Sequence, residues 1–334
     1  MPPWSEPYWL FFAVVCAAVG LGRYWAWIES KEDRGEGVLG KWLRVDLKRP
    51  MGAWEYLTAL TLLTIGGGIF VFIVGLSQGY LPLNPESLKG LTLLQAGHLA
   101  VSVITHTNWQ PFAPQATYSI FTQMVAVNTQ NLVQAGVGIA AMRALIRAMN
   151  RQEIGNAWAG VFRGVVWLHL PLWLALGGIQ IANGVPQNPF AGSIEGGPVA
   201  SFASLKVLAG GAGYFAENFA SIIENPNRLT NFWGLVIFIA LPLGVFLGAG
   251  RILKHTKSSE LMALAMLAVL FGAASLSAPE SKPTDRYSTF SQSLWLNTTA
   301  GSSNGSNNTT LERFEPAQRL TSYLMLLGGI PFPP

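Results

Sequence analysis

Six long apolar stretches, near 8–28, 54–77, 117–142, 162–182, 231–250 and 259–278, alternate with polar connections along the chain. Each is close to the roughly 20 residues a helix needs to cross hydrocarbon, so the pattern predicts an all-α integral membrane protein. A seventh apolar run, near 320–330, is too short to span. Shorter apolar runs at 93–104, 198–208 and 287–296 lie between spans and are each followed by small or polar residues. Too short to cross, they predict helices that enter the membrane and turn back. The chain therefore reads as an N-terminal extra helix followed by two to three copies of one unit, a span, a re-entrant helix and a returning span (M1-P-M2). The expected boundaries are 1–53 for the N-terminal helix and its loop, 54–160 and 161–257 for two repeats, and 258–334 for an incomplete third.

The polar run after the first re-entrant segment, Thr105-His106-Thr107-Asn108-Trp109-Gln110, is the most informative stretch. Non-helical backbone lies at membrane depth only where it is buried in protein or faces a water-filled cavity, so such a loop points to a pore or binding site. Ala209-Gly210-Gly211-Ala212-Gly213-Tyr214 and Thr298-Thr299-Ala300-Gly301-Ser302-Ser303-Asn304-Gly305 occupy the corresponding places. Glycine, lacking a Cβ, tolerates the backbone angles of a carbonyl-lined loop. The same composition also marks ordinary extracellular loops, and Asn297-Thr298-Thr299, Asn304-Gly305-Ser306 and Asn308-Thr309-Thr310 match glycosylation acceptor sequences.

Half of the residues are hydrophobic and 11% are charged, a composition of membrane proteins. A net charge of +4 is explained by sidedness, not by a nucleic-acid partner. Arg23, Lys31, Arg34, Lys41, Arg44, Lys48 and Arg49 precede the second span, Arg143, Arg147, Arg151 and Arg163 separate the third and fourth, and Arg251, Lys254 and Lys257 lie between the fifth and sixth. The positive-inside rule puts these loops in the cytoplasm, against anionic lipid, and the N-terminus outside. Glu6 before the first span and Arg23 near its end argue for a retained anchor over a cleaved leader. Cys16, the only cysteine, leaves no disulfide or thiolate metal site and is expected to be a small buried hydrophobe. His98, His106, His169 and His255 are scattered singly, which argues against a stand-alone metalloenzyme. Trp4, Tyr8, Trp9, Trp25, Trp27 and Trp54 fall near span ends as an interfacial belt. Pro171 and Pro242 are expected to kink helices whose freed carbonyls neighbours satisfy.

The strings LPLNPESLKGL (81–91), SVITHTNWQ (102–110), FTQMVAVNTQNLVQAGVGIA (121–140), ALIRAMNRQ (144–152) and GNAW (155–158) resemble the KdpA family, channel-like potassium-binding subunits of P-type potassium pumps. GPVASFASLKVL (197–208) and ENPNRLTNF (224–232) are similar to the segments flanking that family's second filter. The resemblance runs in order from about 52 to 250 and weakly on to the end. It implies four M1-P-M2 repeats behind an extra helix, related to potassium channels, with one filter loop per repeat. It also implies partners: a P-type ATPase catalytic subunit that alone binds ATP, small membrane subunits, and the bilayer of a bacterial inner (plasma) membrane. This chain carries no DKTGT and no Walker A motif, so hydrolysis falls to a partner, and potassium is the ion bound, with no covalent cofactor.

By position, the resemblance assigns the first filter to Thr105, His106, Thr107, Asn108 and Trp109, with His106 where the family has Asn. An imidazole there can brace the filter, repel cations when protonated, or point sideways into a polar pocket. The second filter departs from a family pattern similar to GTNGGGFFNAN. It holds Gly210, Gly211, Gly213 and Tyr214 but loses Thr and Asn, and Glu217 is new; Glu217 attracts cations, stays neutral through desolvation, or opens the following helix. The third, with Thr298, Thr299, Gly301 and Ser302, is similar to the family's TTAASCG. Its return helix would rise only about 16 Å, and a fourth repeat is not seen, so a truncated or divergent member is expected. The leading reading is a potassium-binding, translocating subunit; the alternative is a non-conducting scaffold or accessory subunit of the same fold, or a fragment.

Overall fold

The computed structural model describes residues 5–31, 35–44, 46–107, 112–210, 220–282, 285–302 and 304–328. Among these, six helices are long and apolar enough to cross a membrane: Glu6–Ser30, Ala53–Tyr80, Thr122–Met149, Ala157–Ala182, Arg228–Ile252 and Thr256–Leu276. The chain is an all-α, multi-pass membrane protein, and each of the six spans matches one apolar stretch of the sequence.

The N-terminal helix α1 (Glu6–Ser30) is followed by a short α2 (Glu36–Leu43) and then by the helices of the stretch expected as the first repeat. Here α3 (Ala53–Ser77) packs against the short α4 (Leu93–Ile104), and the return runs through a π-helical stretch (Thr122–Asn128) into α5 (Thr129–Met149). The second repeat opens with α6 (Ala157–Phe162), a π-helical stretch (Arg163–His169) and α7 (Leu170–Ala182), continues with the short α8 (Val199–Leu208), and returns as α9 (Arg228–Ile252). The third comprises α10 (Thr256–Leu276), a short α11 (Thr289–Gly301) and α12 (Pro316–Gly328). In each repeat the short helix packs on the span before it, α4 on α3, α8 on α7 and α11 on α10.

Local chemistry sets these boundaries. Thr92 and Gln95 form a reciprocal capping box that starts α4, Asn227 and Thr230 form another at α9, and Ser288 Oγ accepts from Ser291 N at α11, each satisfying backbone donors a helix start leaves free. Pro171 removes the N–H that would bond the Trp167 carbonyl. The helix widens to π geometry just before it, and the freed carbonyl accepts instead from Tyr24 Oη at 2.6 Å.

The N-terminal helix is built into the core. It crosses α9 through small residues: a Cβ on Gly22 would lie 3.0 Å from the Gly244 carbonyl oxygen, and one on Gly248 would lie 2.7 Å from the Trp25 ring. Close backbone approach of this Gly-x-x-x-Gly kind (Gly244, Gly248) packs helices where lipid offers no hydrophobic drive. Leu10, Val14 and Ala18 of α1 share one core with α9, α10 and Trp295 of α11.

Two of the basic connections, those before the second span and between the third and fourth, are bonded to each other. Met51 N donates to the Gly155 carbonyl (2.9 Å) and Asn156 Nδ2 to the Arg49 carbonyl (3.1 Å). Two of the cations assigned to the loop between the third and fourth spans are not loop charges. Arg143 and Arg163 are buried inside their helices, Arg143 against Glu29 (2.6 Å) and Arg163 against Glu36, because a buried charge must be paired. Cys16, expected to be buried, is exposed on α1. Trp25 is also no belt residue, being 1% exposed against Gly248, whereas Tyr8, Trp9, Trp27 and Trp54 are exposed near helix ends.

Candidate functional site

The three short helices end alike. At α4, Thr105 caps the helix with φ −91° and ψ 3°, and His106 follows at φ 54°. At α8, Ala209 has φ −96° and ψ 3°, and Gly210 follows at φ 69°. At α11, Ser302 has φ −94° and ψ 5°. A left-handed residue just past a helix end stops the helix and turns the chain away. Glycine takes that conformation freely, and His, with Asn and Asp, is enriched there among other residues. That explains how an imidazole can stand at position 106: the site demands a backbone angle, which His and Asn both tolerate. Each helix C-terminus carries about half a negative charge, a favourable place for a cation.

This equivalence places Thr105, Ala209 and Ser302 in one register, and it moves the third loop. Thr298, Thr299 and Gly301 were expected in a loop following a helix that ends at Leu296; they lie instead in the last turns of α11. Thr298 Oγ1 donates to the Leu294 carbonyl (2.7 Å) and Thr299 Oγ1 to that of Trp295 (3.0 Å), while their own carbonyls accept from Ser302 N and Asn304 N. Hydroxyls that bond back four residues let a polar segment stay helical inside apolar surroundings. The loop proper begins at Ser302. Asn108, Trp109, Gly211, Gly213, Tyr214, Glu217 and Ser303 lie outside the described residues.

The first and second ends are tied together through the inner helix of the first repeat. Leu205 and Ala209 of α8 pack on Ala135 of α5, and Leu99 and Val103 of α4 share a core with Val199 and Phe202 of α8. Beside them α5 presents buried Gln130, Asn131 and Gln134. Thr64 Oγ1 donates to Gln134 Oε1 (3.3 Å), while Gln130 Nε2, Asn131 Oδ1, Gln134 Nε2 and His106 Nε2 are buried with no protein partner. Sequence reasoning missed this polar face because it lies within an apolar span, although the run Asn128-Thr129-Gln130-Asn131 was there to be read. Thr105 Oγ1 and Thr107 Oγ1 are 2.8 Å apart, bracing the first loop across His106.

The second and third ends meet through polar bonds. Lys206 of α8 pairs with Glu224 at 2.5 Å, both buried. Asn304 Nδ2 reaches the Lys206 carbonyl at 3.5 Å. Arg286 donates to the carbonyls of Ala220 (2.6 Å) and Asn225 (2.8 Å), and the Tyr287 hydroxyl also donates to the Asn225 carbonyl. Burial pushes the Tyr287 phenol up, so it stays a donor throughout the physiological range. Asn297, Asn304 and Asn308, read as possible glycosylation acceptors, are buried in the folded protein, where a glycan would have no room. Among the described residues no group of three or more His, Cys, Asp or Glu side chains could hold a metal ion. What the site offers is neutral oxygen: hydroxyls, carboxamides and helix-terminal carbonyls.

The KdpA family model, described as Potassium-transporting ATPase A subunit, matches residues 8–332. Among curated relatives, the potassium-transporting ATPase potassium-binding subunit of Francisella tularensis subsp. novicida (strain U112) is 37% identical over 239 residues, 67% of this chain and 42% of that protein. That of Klebsiella pneumoniae (strain 342) is 38% identical over 232 residues, 65% of this chain and 41% of that protein. The Pseudomonas aeruginosa PAO1 protein of the same description is 32% identical over 315 residues, covering 84% and 56%. The chain thus spans about two fifths to just over half the length of these relatives.

Proposed function

The chain belongs to the KdpA family, and on that premise we propose that it is the channel-like, potassium-binding membrane subunit of an ATP-driven potassium uptake complex. The loops after α4, α8 and α11 select the ion, which is held by backbone carbonyls replacing its hydration shell. The residues assigned to this task are Thr105, His106, Thr107 and Asn108 in the first loop, Gly210, Gly211, Gly213 and Tyr214 in the second, and Ser302 to Gly305 in the third. Thr298, Thr299 and Gly301 brace the third loop from within α11. The observation that carries this reading is that α4, α8 and α11, each too short to cross the membrane, pack on the span before them and end in small or polar residues. The unpartnered atoms Gln130 Nε2, Asn131 Oδ1 and Gln134 Nε2 mark a buried polar face beside the first loop, and Asn131 Oδ1 suits a hydrated ion leaving it.

The complex sits in a bacterial inner membrane with the N-terminus outside and the basic connections in the cytoplasm. ATP binds to a P-type catalytic partner, and small membrane subunits complete the assembly. The test is purification through a tag on this chain from cells expressing the partner subunits. Recovery of a phosphoaspartate ATPase whose turnover is stimulated by potassium supports the reading; recovery of this chain alone contradicts it. A second reading, a non-conducting accessory subunit, draws on the second loop, where Ala209-Gly210-Gly211-Ala212-Gly213 lacks side chains to brace a filter. It predicts a complex assembled with this chain whose turnover ignores potassium.

A further inference from the structure

Asn231 on α9 is 1% exposed, and its carboxamide bonds in three directions. Nδ2 donates to Ser291 Oγ in the first turn of α11 at 2.7 Å. Oδ1 accepts from Asn308 Nδ2, beyond the end of α11, at 2.8 Å and from Asn225 Nδ2 at 3.1 Å. Asn225 is itself held by Thr230 Oγ1 (2.6 Å) and, through its carbonyl, by Arg286 and Tyr287. One side chain on α9 therefore grips the third short helix and its loop at both ends, in the first turn of α11 and beyond the loop that follows it. An apolar residue could fill the same volume, but only a group with both donor and acceptor can satisfy these partners at once, and leaving them unpaired when buried is costly.

We infer that Asn231 is a positioning residue for the third pore loop. By holding Ser291 and Asn308 it sets where Asn304 to Asn308 lies against the end of α8, and so the spacing of the third loop from the second. It contacts no ion itself. The inference rests on the reading that these loops border the ion path.

The test uses the purified complex containing the full chain, with Asn231→Leu, Asn231→Asp, Asn308→Ala and the double variant Asn231→Leu/Asn308→Ala. The readouts are the potassium dependence of ATP hydrolysis and the preference for potassium over rubidium. Asp can keep all three contacts, with the Ser291 hydroxyl donating. The expected result is a rise of about tenfold or more in half-saturating potassium for Asn231→Leu, with the maximal rate changing less, and at most about threefold for Asn231→Asp. Asn308→Ala should reproduce the Leu effect and the double variant add little, because the two residues act through one bond. Wild-type half-saturation and ion preference in Asn231→Leu, or additive effects of the two sites, would overturn the role. Amide exchange at 304–308 supplies a readout that needs no turnover: it should quicken in Asn231→Leu while 105–107 is unchanged, and an unchanged 304–308 overturns the inference. A wild-type complex indifferent to potassium would contradict the proposed function, and the exchange contrast would still decide the positioning role.

Discussion

The segments that end α4 and α11 have the same cap angles but are held in place by opposite means. Thr105 and Thr107 are exposed, and their loop is shaped locally by a left-handed His106 and a hydroxyl contact of 2.8 Å. Asn304, Ser306 and Asn308 are buried, and their segment is fixed by bonds to Lys206 and Asn231 of the neighbouring repeat and by Trp295 Nε1 on Ser306 Oγ (3.2 Å). Exposed loops can leave polar groups to solvent, whereas a buried one must pair them within the protein. The first loop is therefore specified by its own backbone and the third by a network between repeats.

That contrast can be broken most forcefully at Lys206. Lys206→Met removes the cation that faces the buried Glu224 carboxylate, and should cost about 3–5 kcal/mol in detergent unfolding measurements, while Lys206→Met/Glu224→Leu should recover most of it. The damage should appear as faster exchange at 304–308 before it reaches 105–107. Gly248→Leu, which drives a side chain into Trp25 and the Gly22 carbonyl, should cost about 1–3 kcal/mol by overpacking. Because α9 carries Asn231, it should disturb the third segment more than the first, as the same exchange experiment reads.

On the local side the effects are smaller. His106→Val puts a β-branched residue at φ 54° and should cost about 1–2 kcal/mol, whereas His106→Asn should be within a few tenths, both by thermal unfolding. Thr92→Ala removes the α4 cap and should cost about 1 kcal/mol, with faster exchange confined to the first turn of α4. A large loss in His106→Asn would show that the imidazole itself, and not the backbone angle, is what position 106 requires.

The spans and the short helices were legible because bilayer thickness fixes their lengths; the re-entrant run at 93–104 coincides with α4. The start of the third loop was not. Thr, Gly and Asn give the same signal in a loop as in a helix whose hydroxyls bond back to its own carbonyls, so Thr298 and Thr299 were placed too late in the unit. A clue lay in the chain itself. Tyr118-Ser119-Ile120-Phe121-Thr122-Gln123 and Tyr287-Ser288-Thr289-Phe290-Ser291-Gln292 share a pattern that continues to Asn128-Thr129 and Asn297-Thr298. Both glutamines donate back to the tyrosine carbonyl, at 3.0 and 3.1 Å. Since the first copy lies in an apolar span, the second should be helical through Thr298, as it is. Arg143 and Arg163 were misread for a different reason. A cation near a span end looks like a loop charge, and Glu29 lies 114 residues from Arg143, beyond any local pattern.

If the ends of α4, α8 and α11 make a potassium site, Gly210, at φ 69° with no described residue within 4 Å of where its Cβ would lie, is its most direct probe. The measurement is the thermal midpoint of the purified complex in potassium against sodium at equal ionic strength, for the wild type and Gly210→Val. A ligand that binds only the folded state raises the midpoint. The account predicts a potassium-specific rise in the wild type that Gly210→Val abolishes; the same rise in both, or none in the wild type, would contradict it.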